Sequence, residues 1–191
     1  MMKIVVVGAG AMGCLFAAYL SKSKEEIWIL EKDKERAQKL NQQGIGIEGV
    51  SGDWKAKARA SADAAEIGPA DLVLVCVKSY DTKEAVSRIK GLVAENSKVI
   101  TLQNGIGNVE IIQEAVGQEK VIAGVTSQGA TLLDAGRIRH AGRGETIIGR
   151  IDGKIPVELR AIREIFNKVG LPARISRDIK GLLWGKLIIN V

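Results

Sequence analysis

Histidine occurs once in this sequence, at position 140, and cysteine twice, at positions 14 and 76. With so few such residues, no His/Cys/carboxylate cluster of metal-ligand spacing can be drawn, and a Ser-His-Asp triad would have to use His140 alone. Metalloenzyme and hydrolase readings are set aside on that ground, and no metal site is expected. Cys14 and Cys76 lie in apolar segments without C-x-x-C spacing, so they read as buried free thiols of a protein kept in a reducing cytoplasm. Long apolar runs are missing too. The run at 4–7 is too short to cross a bilayer, and glycines follow it instead of a small-residue cleavage site, so neither membrane insertion nor export is expected. Aromatics are scarce and scattered: three Trp, two Tyr and two Phe. Nucleic-acid faces that use bases interleave aromatics with basic residues, so the net charge of +6 reads as a solvated lysine-rich surface, with no nucleic-acid partner. His140, set among Arg137, Arg139 and Arg143, reads as a surface-strand histidine.

What is present is the composition of a folded domain, 46% apolar and 26% charged, in a chain long enough for one full core plus the start of another. Apolar runs at 4–7, 27–30, 72–77, 99–102 and 121–125 alternate with helix-like stretches, the rhythm of βαβ units around a buried parallel sheet. The class is α/β. A charged helix is expected over 33–43 with Gly44 as its C-cap, then a small hairpin within 44–60. Glycines at 129, 136, 142, 144 and 149 break 126–150 into short runs suited to antiparallel strands at the sheet edge. Pro156 opens a helix to about residue 169, closed by Gly170. Residues 178–191 read as a last helix that stops while still apolar, as if a partner domain followed it.

Gly8-Ala9-Gly10-Ala11-Met12-Gly13 sits between the first strand and an apolar helical stretch. In that context the first glycine permits the tight turn, the second lets backbone approach a pyrophosphate, and the third lets the helix pack closely. The helix N-terminus adds free N–H groups and partial positive charge. This is a Rossmann dinucleotide site. At the end of the second strand stand Glu31 and Lys32, whose roles conflict. An acid there bonds the ribose hydroxyls of NAD, whereas Lys32, with Lys34 or Arg36, could meet the extra phosphate of NADP. Lys78 in Val77-Lys78-Ser79-Tyr80 and Asn104 in Gln103-Asn104-Gly105 follow strand C-termini, the edge where open α/β sheets bind ligands. Lys186 and Asn190, four apart, share one helix face near Trp184. There an ammonium could protonate the alkoxide that forms when a ketone accepts hydride, and an amide could orient the substrate.

Together with the glycine turn, the motifs Val77-Lys78-Ser79, Leu102-Gln103-Asn104-Gly105-Ile106-Gly107 and Leu183-Trp184-Gly185-Lys186-Leu187-Ile188-Ile189-Asn190 resemble the ketopantoate reductases (2-dehydropantoate 2-reductases) in order and spacing, over essentially the whole chain. The resemblance implies a doubly wound, mainly parallel Rossmann domain over 1–175, with 176–191 as the first helix of a helical substrate and dimerisation domain that is missing. It implies reduction of 2-dehydropantoate to pantoate on the route to pantothenate and coenzyme A. By the same resemblance Lys186 is the general acid, and Asn190, Asn104 and Lys78 contact the ketoacid. The cofactor is met by Gly8, Ala9, Gly10, Ala11, Met12, Gly13, Glu31, Lys32, Lys78 and Asn104. NADP(H) is the favoured cofactor. The family often has an arginine where Glu31-Lys32 stand, so NAD(H) remains open. The family's helical domain also carries a substrate-binding glutamate that nothing here supplies, so the chain is expected to bind dinucleotide but turn over poorly, and to dimerise through that domain. Two rivals stay open: a reductase or dehydrogenase of another 2-oxo or 3-hydroxy acid, and a non-catalytic NAD(P) sensor.

Overall fold

The computed structural model describes residues 1–190, with side chains described through Ile188. The first half contains β1 (Lys3–Val7), α1 (Ala11–Leu20), β2 (Glu26–Leu30), α2 (Lys34–Gln43), β3 (Ile45–Gly49), β4 (Trp54–Ala56), β5 (Ala60–Ser61), α3 (Ala64–Ile67) and β6 (Ala70–Val75). There follow α4 (Thr82–Ile89), β7 (Val93–Thr101), α5 (Asn108–Val116), β8 (Val121–Thr126), β9 (Gly129–Asp134), β10 (Arg137–Gly142), β11 (Thr146–Gly149), α6 (Val157–Lys168), β12 (Ala173–Ile175) and α7 (Ile179–Asn190).

Eight strands form one sheet in the order β12-β11-β8-β7-β6-β1-β2-β5. It is parallel throughout except where β11 runs antiparallel to β8. Both faces are covered, which is why its central strands carry fully buried apolar runs such as 4–6, 72–75 and 99–100. Alternate side chains divide between two cores. Ile4, Val6, Leu72 and Leu74 join the α1 and α6 side chains Leu15, Phe16, Ile162 and Phe166, while Val5, Val7, Val73 and Val75 meet Ile89 of α4 and Ile112 of α5. From β1 the chain builds outward through β2 and returns to lay β6 on the other side of β1. The crevice between the C-terminal ends of β1 and β6 is therefore the topological switch point, where open α/β sheets bind ligands.

The helix expected at 33–43 forms as α2, with the Asp33 carboxylate accepting N–H bonds from Glu35 and Arg36 and with Gly44 at φ 70° as its C-cap. The small hairpin is β3–β4. The expectation for 126–150 needs correction. β11 does extend the main sheet, but β9 and β10 leave it and join β3 and β4 in a second sheet ordered β4-β3-β10-β9, with β10 parallel to β3. That sheet packs on α1, so one helix is sandwiched between two sheets. This explains why α1 is buried from Gly13 to Leu20 with hardly a polar face. α7 lies against β8 and β11, seated by the fully buried Ile179. Among the described residues, no helix is long and apolar enough to cross a membrane.

Candidate active site

A cleft of about 880 Å³ opens at the switch point. The glycine turn forms its floor, and the ends of β2, β6 and β7 together with the start of β9 form its walls. Gly8, Ala9, Gly10, Ala11, Met12, Glu31, Lys32, Lys78 and Asn104 all line it, although they come from four separate stretches of chain. Each glycine of the turn has its own reason. Gly8 has φ +92°, and a Cβ there would stand 2.7 Å from Val77 Cγ1. At Gly13, behind the turn, a Cβ would come within 1.9 Å of the Gly8 carbonyl oxygen, so the start of α1 packs on β1's turn only without a side chain. Gly10 has φ −72° and nothing within 4 Å of the Cβ position. No protein contact demands glycine at 10. Gly10 lines the cleft, so the open space at its Cβ position leaves room for the close backbone approach that a pyrophosphate makes. The first-turn amides of α1 have no acceptor inside the helix, and neither a capping side chain nor an acidic residue competes for them. The residues present thus fit a dinucleotide.

Beside the turn, Glu31 is 4% exposed. Its Oε2 accepts the Ala9 N–H at 2.8 Å and its Oε1 accepts those of Lys32 and Asp33 at 2.9 and 3.3 Å. It therefore ties the glycine turn to the end of β2. Lys32 lines the rim, with its Nζ 3.3 Å from Asp81 and 3.7 Å from Glu84. Arg36 lines the cleft, and Lys34 does not.

Lys78 and Asn104 are exposed on the opposite wall, and a buried polar network that sequence reasoning missed holds their loops. Gln103 Nε2 donates to the Val77 carbonyl at 3.0 Å and to Thr82 Oγ1 at 2.8 Å. Thr82 Oγ1 donates to Asn108 Oδ1 at 2.8 Å, and Asn108 Nδ2 donates to the Asn104 carbonyl at 3.1 Å. The signal lay in polar residues directly abutting apolar strand and helix termini. Thr82→Val keeps the shape and removes the hydroxyl on which Gln103 and Asn108 meet. Stranding buried polar groups costs about 1–3 kcal/mol, so urea unfolding should show a loss of that order, and no loss would mean the network is not coupled.

Lys186 does not line the cleft. It is half-buried on α7, and its Nζ donates to the Thr126 carbonyl at 2.7 Å. Thr126 ends β8, so the ammonium is tethered at the C-terminal edge of the sheet, two residues before Gln128 of the cleft wall. Burial lowers the Lys186 pKa from that of an ordinary lysine. Trp184, on the same helix, is 48% exposed. The side chain of Asn190 lies outside the described residues.

His140 is not on the surface. It is 1% exposed, with Nε2 2.9 Å from Gln128 Oε1 and Nδ1 3.5 Å from the Tyr19 hydroxyl. In β10, Arg137 and Arg139 point outward to Glu48, while Ile138 and His140 share the inward face toward α1. Strand alternation carried that signal, but the arginine neighbours masked it. Burial, aided by the Arg143 charge, pushes His140 below its ordinary 6.5. The unfolded chain then binds the extra proton more readily, so His140 favours folding fully above pH 6.5 and this contribution is lost as pH falls through its lowered folded value. Thermal unfolding across that window should show the decline, and His140→Gln should flatten it. An equal slope in the variant would assign the decline to other groups. The two cysteines are free. Cys14 is buried and Cys76 is half-buried on the cleft wall, and burial pushes both thiols up to about 12.

A family model described as ketopantoate reductase PanE/ApbA matches residues 4–153. The 2-dehydropantoate 2-reductase of Halobacterium salinarum is 32% identical over 191 residues, all of this chain and 63% of that protein. The one from Pyrococcus horikoshii is 34% identical over 189 residues, 99% of this chain and 61% of the relative. Among solved structures, 2-dehydropantoate 2-reductase from Geobacter metallireducens matches with a TM-score of 0.92 at 30% identity, covering 99% of this chain and 62% of that one. D-mandelate dehydrogenase, solved with NADH and anilino(oxo)acetate, matches with a TM-score of 0.92 at 25% identity, covering 99% and 61%. The chain spans somewhat over three fifths of the length of these relatives.

Proposed function

The chain belongs to the ketopantoate reductase family, and from that premise we propose that it forms the dinucleotide-binding part of an enzyme that reduces 2-dehydropantoate to pantoate, a step toward pantothenate and coenzyme A. The observation that carries the proposal is the tethering of Lys186 Nζ to the Thr126 carbonyl, on the same sheet edge as the glycine cleft. The bound dinucleotide supplies the hydride; the resemblance favours NADPH. The chain's own residues hold and orient. Gly8 to Gly13 and the α1 amides fix the pyrophosphate, while Lys78 and Asn104 face the reacting end from the opposite wall. Lys186 gives its proton to the nascent alkoxide, and burial eases that transfer by disfavouring the charged ammonium. Thr126 aims it by accepting one of its hydrogens.

The test is an assay of the protein, expressed from its complete gene, with 2-dehydropantoate and reduced dinucleotide. Consumption of reduced nicotinamide dependent on 2-dehydropantoate supports the reading, and none with either dinucleotide overturns it. The likeness to D-mandelate dehydrogenase favours a second reading, a different 2-oxo acid. Faster reduction of benzoylformate than of 2-dehydropantoate would select it.

A further inference from the structure

We infer that this cleft selects NADH over NADPH, because Glu31 stands at the end of β2, where an acid meets the ribose, and because acidic neighbours already hold Lys32 and Arg36, two of the cations lining the cleft beside it. The inference rests on the proposed dinucleotide site and deepens it by naming the cofactor. It replaces the preference that the resemblance alone favours.

Glu31 comes first. A carboxylate offers roughly four acceptor positions, and the N–H groups of Ala9, Lys32 and Asp33 use three of them. Glu31 lines the cleft, and one acceptor position remains, on Oε2. A ribose hydroxyl has a hydrogen to give it. A phosphate monoester has none, and it brings a charge of about −1.5 to −2 at neutral pH against a fixed carboxylate. Three backbone bonds hold Glu31 in place, so it cannot swing aside without freeing the amide of Ala9 in the middle of the glycine turn.

The cations come second. Arg36 Nη1 lies 3.8 Å from Glu31 Oε2. Arg88 donates to the carbonyls of Glu31 and Ala62 at 3.2 and 2.8 Å. Lys32, the residue best placed by sequence to meet a phosphate, spans the cleft mouth to Asp81 and Glu84. Exposed ion pairs are individually weak, so a phosphate could draw Lys32 away. Doing so would leave Asp81 and Glu84 beside the phosphate with nothing opposite them. Of these cations, Lys32 is paired with Asp81 and Glu84, Arg36 with Glu31, and Arg88 is bonded to two carbonyls, so a 2′-phosphate beside Glu31 would have to break one of these contacts to find a counter-charge.

Calorimetric titration of the chain with NADH and with NADPH decides it. NADH is expected to bind at least about tenfold more tightly. Asp81→Asn combined with Glu84→Gln frees Lys32 and should move the NADPH-to-NADH affinity ratio toward NADPH by about fivefold or more. These side chains sit at the exposed rim, so the variant tests the claim even if Glu31→Gln, which releases the glycine turn, fails to fold. NADPH binding as well as or better than NADH overturns the inference and leaves the dinucleotide site standing. An unchanged ratio in the double variant overturns the role given to the acidic neighbours. Binding of neither dinucleotide removes the site itself.

Discussion

Gly10→Ala should cost the chain most of its dinucleotide affinity and none of its stability, while Gly13→Ala should unfold it at a lower temperature. The two positions belong to one motif and differ only in what a methyl group would meet. At Gly10 the backbone is extended, with φ −72°, and the Cβ position is empty to 4 Å. Alanine fits without strain there and even restricts the unfolded chain, a gain of about 0.4–1 kcal/mol. The methyl instead occupies the surface on which the pyrophosphate lies, and affinity falls by at least about tenfold. At Gly13 the methyl would sit 1.9 Å from the Gly8 oxygen. The helix must then move off the turn, and overpacking of this kind costs about 1–3 kcal/mol, or several degrees in a chain of this size. Scanning calorimetry with and without NADH separates the outcomes. If Gly10→Ala bound as tightly as the parent, the ligand would not approach the backbone there, and the bare patch would need another explanation.

Five strands of the eight-stranded main sheet were legible because each is a local apolar run, the visible trace of a strand buried on both faces, whereas β5 and β12 span only two and three residues and show no such run. The second sheet was not. Its central pairing sets Gly46 to Gly49 alongside Arg137 to His140, two segments widely separated in the chain, and no periodicity within either points to the other. The site was legible to the same degree. Glycines and strand-end polar residues could be assigned to one cleft because the sheet edge collects them. Glu31 could not be recognised as a backbone tie, since hydrogen bonds to Ala9 depend on how β1 and β2 lie side by side. Gln103, Thr82 and Asn108 were passed over because polarity reads as exposure, whereas here it serves a buried network. Asn104 illustrates a smaller limit. Asn-Gly suggests positive φ at the asparagine, yet among the described residues only glycines adopt it, and Gly105 and Gly107 take the turn.

Lys186→Ala, made in the complete protein, is expected to lower kcat by about 10²–10⁴, the usual contribution of a general acid, with dinucleotide affinity nearly unchanged. The second half follows from position, since Lys186 lies outside the cleft lining and its tie is to Thr126. Losing one half-exposed hydrogen bond to a carbonyl costs about 1 kcal/mol, so the variant should fold and the kinetic comparison is clean. The pH profile gives an independent readout. A general acid works only while protonated, and burial holds the Lys186 pKa below the ordinary 10.5. Ketoacid reduction should therefore decline with rising pH before an ordinary lysine would deprotonate, and that limb should vanish in the variant. A variant with unchanged kcat would leave Lys186 as no more than a strap between α7 and β8. A variant with intact kcat but weakened NADH binding would instead move the ammonium into the cofactor site, and the proton donor would have to be sought on the far side of the cleft.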